Sequence, residues 1–151
     1  MSPPLPSPLP LVLDTNVVLD LLVFDDPFVR PLAEALASGE VTAWANAHTL
    51  KELELVLAYP TFALDEAARR TLLERYQRLV RVLPDTPEAP LHTLPRCRDR
   101  DDQKFLELAA RSGAAWLVSK DKRVLSMAGW HGLPFAILSS RRAAERLREK
   151  P

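Results

Sequence analysis

Leu9-Pro10-Leu11-Val12-Leu13-Asp14-Thr15-Asn16 is the stretch that decides the fold. Leu9 to Leu13 reads as a strand that ends on the polar trio Asp14-Thr15-Asn16, and the apolar run Val17 to Phe24 behind it contains a short helix. Working outward, Asp26 and Pro27 supply an N-cap and a first-turn proline for a helix that stops at Gly39. Val41 to Trp44 is a second short strand. Asn46 caps the next helix, whose Leu50, Leu53, Val56 and Leu57 keep helical spacing until Pro60. From Asp65 to Val82 an amphipathic helix is expected, with Leu72, Leu73, Tyr76, Leu79 and Val80 on one face and Arg70, Arg78 and Arg81 opposite. Four prolines make Pro84 to Arg100 a long irregular connection, a length that is often functional. A helix from Asp101 to Ser112 stops at Gly113. Then come a strand at Ala115 to Ser119, a short helix at Lys122 to Met127, a strand at Pro134 to Leu138, and a serine-capped helix from Ser140 to Glu149. Short strands alternating with helices are the pattern of an α/β fold with a mainly parallel sheet.

Composition bounds what such a domain does. The 151 residues amount to one domain, expected over 9–151 behind a proline-rich leader at 1–8, and 47% hydrophobic content with 26% charged residues suits a packed core. Twenty basic side chains balance twenty acidic ones, so bulk charge does not hold nucleic acid and any phosphate partner must be met by local chemistry. The single cysteine, Cys97, forms no internal disulfide and points to a reducing, cytoplasmic setting. The most apolar stretch, Leu9 to Phe24, is cut by Asp14, Asn16 and Asp20, so no membrane span is expected.

The acids carry the functional reading. Asp14 and Asp121 follow strands and therefore belong at carboxyl ends, the edge where open parallel sheets bind ligands. Glu52 and Asp102 lie in the first turns of helices that start from that same edge. Four carboxylates drawn to one crevice repel one another unless a cation neutralises them. A hard divalent ion such as Mg²⁺ prefers oxygen ligands, and a metal so held would activate water against a phosphodiester, the chemistry of metal-assisted nucleic-acid hydrolysis. Each acid also has a plainer role. Asp14 serves equally as a cap for the short helix after it, Asp101 or Asp102 as a cap for the helix beginning there, Asp121 as the start of a turn, and Glu52 as a solvated helix residue, since Glu52 and Glu54 border the apolar stripe from opposite sides.

The same segments resemble a known family. Leu11-Val12-Leu13-Asp14-Thr15-Asn16 looks like the opening strand of PIN domains, and Thr49-Leu50-Lys51-Glu52-Leu53 resembles their helical glutamate segment. Asp99-Arg100-Asp101-Asp102-Gln103-Lys104-Phe105-Leu106 is similar to the acidic segment of a bacterial branch, the VapC-like toxin components of toxin–antitoxin systems. Leu117-Val118-Ser119-Lys120-Asp121 resembles the strand that carries the last acid. The resemblance spans roughly residues 9 to 140 and rests on four ordered motifs. It implies a three-layer α/β/α sandwich of Rossmann-like kind and an Mg²⁺- or Mn²⁺-dependent endoribonuclease. Asp14, Glu52, Asp102 and Asp121 match the family's acids, and Asp99 supplements them. Thr15, Asn16 and Ser119 fall where members place supporting polar residues. Lys120 departs from the usual Gly or Arg, and either meets substrate phosphate or competes for Asp121. An antitoxin-like protein partner and a homodimer follow from the same analogy.

Competing readings remain open from the residues. A PIN-like fold retained as a non-catalytic RNA- or protein-binding module is the main one. His48, four residues before Glu52, would share a transition metal with it, but no further His or Cys completes the set. Asp14-Thr15-Asn16 lacks the second acid of an Asp-x-Asp phosphatase loop. The arginine face with Arg70 and Arg78 is either an RNA-backbone contact or a solvated helix side. Trp116 is assigned to the core.

Overall fold

The computed structural model describes residues 7–84, 94 and 102–149. Among the described residues five strands form one parallel sheet in the order β3-β2-β1-β4-β5: β1 (Leu9–Leu13), β2 (Val41–Ala45), β3 (Val80–Val82), β4 (Trp116–Val118) and β5 (Ala136–Leu138). Seven α-helices among the described residues connect and cover them: α1 (Thr15–Leu19), α2 (Arg30–Ser38), α3 (Ala47–Leu57), α4 (Glu66–Leu79), α5 (Gln103–Ser112), α6 (Lys122–Leu125) and α7 (Ser140–Arg148). Side chains alternate across the central strand and so divide the core in two. Leu9, Leu11 and Leu13 join Val41, Ala43, Trp116 and Val118 under α1, α2, α3 and α7, while Val12 and Leu117 join Ile137 under α5 and α6. Two apolar clusters on opposite faces of one sheet make the α/β/α sandwich.

The chain builds outward from β1 through β2 to β3, then returns to the other side of β1 for β4 and β5. The reversal falls between β1 and β4, and in open parallel sheets a crevice opens there outside the carboxyl ends. Leu11, Val12 and Leu13 pair with Trp116, Leu117 and Val118, and the Asp14 N–H continues the ladder to the Val118 carbonyl at 2.9 Å. Asp14 and the Ser119-Lys120-Asp121 segment therefore leave the sheet side by side.

Local chemistry sets the helix boundaries. At α3 the Asn46 side chain accepts from the Thr49 N–H at 2.9 Å while the Thr49 hydroxyl accepts from the Asn46 N–H at 3.0 Å, a reciprocal cap. Asn46→Ala is expected to lower stability by about 1 kcal/mol, read as a shift of the urea midpoint at unchanged slope. Gly39 and Gly113 end α2 and α5 at φ of 84° and 71°, left-handed values that a side chain would strain.

Two expectations need correction. The helix foreseen from Asp65 to Val82 ends at Leu79, and Val80–Val82 is the edge strand β3. Val80 extends the helical apolar stripe in sequence, yet Val80, Arg81 and Val82 pair with Ala43, Trp44 and Ala45 of β2, and tertiary pairing overrides the period. The helix opened by Asp26-Pro27 begins instead as a 3₁₀ turn at Pro27–Val29, because Pro31 has no N–H to give the Pro27 carbonyl. The last helix starts at Ser140 as expected, and its serine cap is Ser139, whose side chain accepts from the Arg142 N–H at 3.0 Å. Most of the leader and most of Pro84 to Arg100 lie outside the described residues, as do Cys97, Asp99 and Asp101. Trp116 is core, as expected. Among the described residues no helix is long and apolar enough to cross a membrane.

Candidate active site

Asp14 anchors the crevice. It occupies the N-cap position of α1 but makes no side-chain capping bond, and its carboxylate accepts from the buried Ser119 hydroxyl at 2.6 Å. The same Ser119 oxygen accepts from the Asp121 N–H at 3.0 Å, so one hydroxyl ties the end of β1 to the turn after β4. Burial pushes the Asp14 carboxyl above the usual carboxylate range; the Ser119 bond and the Thr15 N–H oppose that rise, and the negative charges of Glu52 and Asp121 add to it. Those last contributions place Glu52 and Asp121 within electrostatic reach of Asp14.

Glu52 faces this crevice from α3, accepting from the Thr15 hydroxyl and pairing through Oε1 with Lys104 Nζ at 2.6 Å. Glu54, by contrast, faces solvent, where it pairs with Lys51 at 3.7 Å. Asp102 is buried at the start of α5, and it also makes no capping bond, while Lys104, two residues on, joins α5 to α3. Asp121 does cap: its Oδ1 accepts from the Arg123 N–H at 2.8 Å. Asn16 accepts from the Lys120 N–H at 3.4 Å. Thus Asp14, Glu52, Asp121, Thr15, Asn16 and Ser119 meet through direct bonds or charge, and Asp99 lies outside the described residues.

The arginines stand apart from this network. Arg70 pairs with Glu66 on its own helix at 3.2 Å and lines an open cleft of about 470 Å³ between α3 and α4; Arg78 is exposed. His48 is exposed, and among the described residues no three His, Cys, Asp or Glu side chains stand close enough to hold a metal. The transition-metal reading of His48 with Glu52 therefore gains nothing. The donors gathered at the sheet edge are carboxylate and hydroxyl oxygens around an acid whose charge is disfavoured, and that donor chemistry fits a hard divalent cation. Two long-range ion pairs are not legible in the sequence. Lys104 reaches Glu52 across 52 positions, and Lys120 does not sit on Asp121 but pairs at 2.7 Å with Asp20, a buried carboxylate 100 positions away. Neither pairing leaves a local signal in sequence.

A parallel sheet with acids at the carboxyl edge of its switch point defines an α/β domain with an acidic ligand crevice. Residues 10–123 match the PIN domain family, and the chain belongs to it. The Streptomyces coelicolor protein SCO2324, provisionally named an ABC transporter ATP-binding protein, is 35% identical over 147 residues. That match covers 87% of this chain but 26% of the relative, so the chain spans about a quarter of that protein's length. The crystal structure of PAE2754 from Pyrobaculum aerophilum superposes with a TM-score of 0.58 at 15% identity, covering 95% of this chain and 92% of the other, a likeness of fold.

Proposed function

We propose that the protein is a divalent-metal-dependent endoribonuclease that hydrolyses RNA phosphodiester bonds, and that it serves as the toxin of a toxin–antitoxin pair. The observation that supports this reading most is Asp14: a buried strand-end acid that forgoes its cap and is loaded with the charge of Glu52 and Asp121. Asp14, Glu52, Asp102 and Asp121 would hold Mg²⁺ or Mn²⁺, directly or through water, with Asp99 in support. A bound ion would polarise the phosphate and lower the pKa of attacking water. The chain's own polar groups do the positioning. The Ser119 hydroxyl fixes one oxygen of Asp14, and Thr15 and Lys104 fix the two oxygens of Glu52. The ATP-binding name of the Streptomyces relative is not carried over, since the four glycines here form no Gly-x₄-Gly-Lys-Ser/Thr loop.

The Lys104–Glu52 pair, with no metal-holding trio among the described residues, favours a second reading: a non-catalytic module that binds RNA or protein. Incubation of the protein with total RNA separates the two. Cleavage in Mn²⁺ or Mg²⁺ that stops with EDTA supports the enzyme; intact RNA together with tight RNA or protein binding supports the module. The toxin role in the cytoplasm, an antitoxin-like partner and a homodimer rest on family likeness. Overexpression is expected to slow growth and the native host to yield a copurifying partner; failure of both contradicts the role.

A further inference from the structure

Asp20 is a carboxylate with no part in the scheme above, yet it is nearly buried, with a side chain 5% exposed against 45% for its partner Lys120. It stands where α1 gives way to a π-turn, Asp20–Phe24, with the Asp25 and Asp26 N–H groups both directed at the Asp20 carbonyl. Such wide turns within helices recur at functional sites. Lys120 is fixed at both ends, its N–H by Asn16 and its Nζ by Asp20 at 2.7 Å. Its neighbours in sequence are Ser119, bonded to Asp14, and Asp121. A flexible ammonium beside two carboxylates falls onto them unless another acid holds it, and there it would displace a metal ion.

We propose that Asp20 is a positioning residue: it holds the Lys120 ammonium at the exposed rim of the acidic crevice as a contact for a substrate phosphate, and keeps it off Asp14 and Asp121. This rests on the nuclease reading for the identity of the phosphate. Among the described residues, Lys120 makes no ion pair with either crevice acid, as the proposal requires.

The test compares Asp20→Asn, Lys120→Met and the double variant, because Lys120→Met alone strands a buried carboxylate and risks unfolding whereas the double variant does not. Two readouts need no turnover: Mn²⁺ binding followed by melting temperature, and anisotropy of a fluorescein-labelled single-stranded RNA in EDTA at several salt concentrations. Asp20→Asn is expected to raise the half-saturating Mn²⁺ concentration about three- to tenfold, and adding Lys120→Met is expected to return it to the parent value. The double variant loses one phosphate contact, so its salt slope falls by about 0.7. A Mn²⁺ defect that persists in the double variant, or unchanged Mn²⁺ and RNA binding in Asp20→Asn, overturns the proposal. If the parent cleaves RNA but Asp20→Asn matches it in both readouts, positioning fails and the nuclease reading stands. If the couplings appear in a parent that never cleaves RNA, positioning stands and the nuclease reading fails; a parent that binds neither Mn²⁺ nor RNA overturns both.

Discussion

Asp14→Asn is expected to lower RNA cleavage by roughly 10²–10³-fold, because metal-borne charge stabilisation amounts to several kcal/mol and each 1.4 kcal/mol is a decade of rate. The same change is expected to raise the stability of the metal-free protein. The sign follows from the raised Asp14 carboxyl. The folded state holds its proton more tightly than the unfolded chain, whose ordinary value is 3.8. Ionised Asp14 therefore costs no stability below that value, and the cost grows as pH rises through the folded-state value and persists at neutral pH. The asparagine keeps a carbonyl to accept the Ser119 hydroxyl and removes the charge. Urea midpoints in EDTA are expected to favour the variant at pH 7 and to converge with the parent as pH falls toward 4. A variant that unfolds shows instead that the Asp14 carboxylate, through its bond to Ser119, is structural.

Glu52→Gln is expected to remove cleavage on a similar scale, while Glu54→Gln, two residues away on the same helix, leaves activity unchanged and stability within about 0.5 kcal/mol. Glu52 points at Thr15 and Lys104, and its charge reaches Asp14. Glu54 is 56% exposed and pairs with the still more exposed Lys51. In Glu52→Gln the ammonium of Lys104 loses its 2.6 Å carboxylate partner, so a modest fall in melting temperature accompanies the lost activity. Parallel assays of both variants check the assignment; the reverse pattern would show that α3 presents the other glutamate to RNA.

That pair of glutamates marks where the sequence stops being legible. Hydrophobic spacing placed α3 and its Asn46 cap, but Glu52 and Glu54 flank one apolar stripe symmetrically, and only the docking of α3 beside α1 separates them. The positions of Asp14 and Asp121 were readable because an acid one to three residues beyond a parallel strand lies at the carboxyl edge of the sheet. β3 was not readable: a three-residue strand is shorter than the window that periodicity needs, and Leu79-Val80 continues the helical stripe. Asp20 was visible only as an interruption of an apolar run, since the lysine that explains it arrives 100 residues later.

The central claim is that acids at the switch point of this sheet hold a divalent ion for RNA hydrolysis. Calorimetric titration of Mn²⁺ into the metal-free protein, in the parent and in Asp14→Asn, tests it most directly. The account predicts saturable binding in the parent that is weakened at least about tenfold, or lost, when the Asp14 charge is removed. Equal binding in the two proteins, or none in the parent, would contradict it.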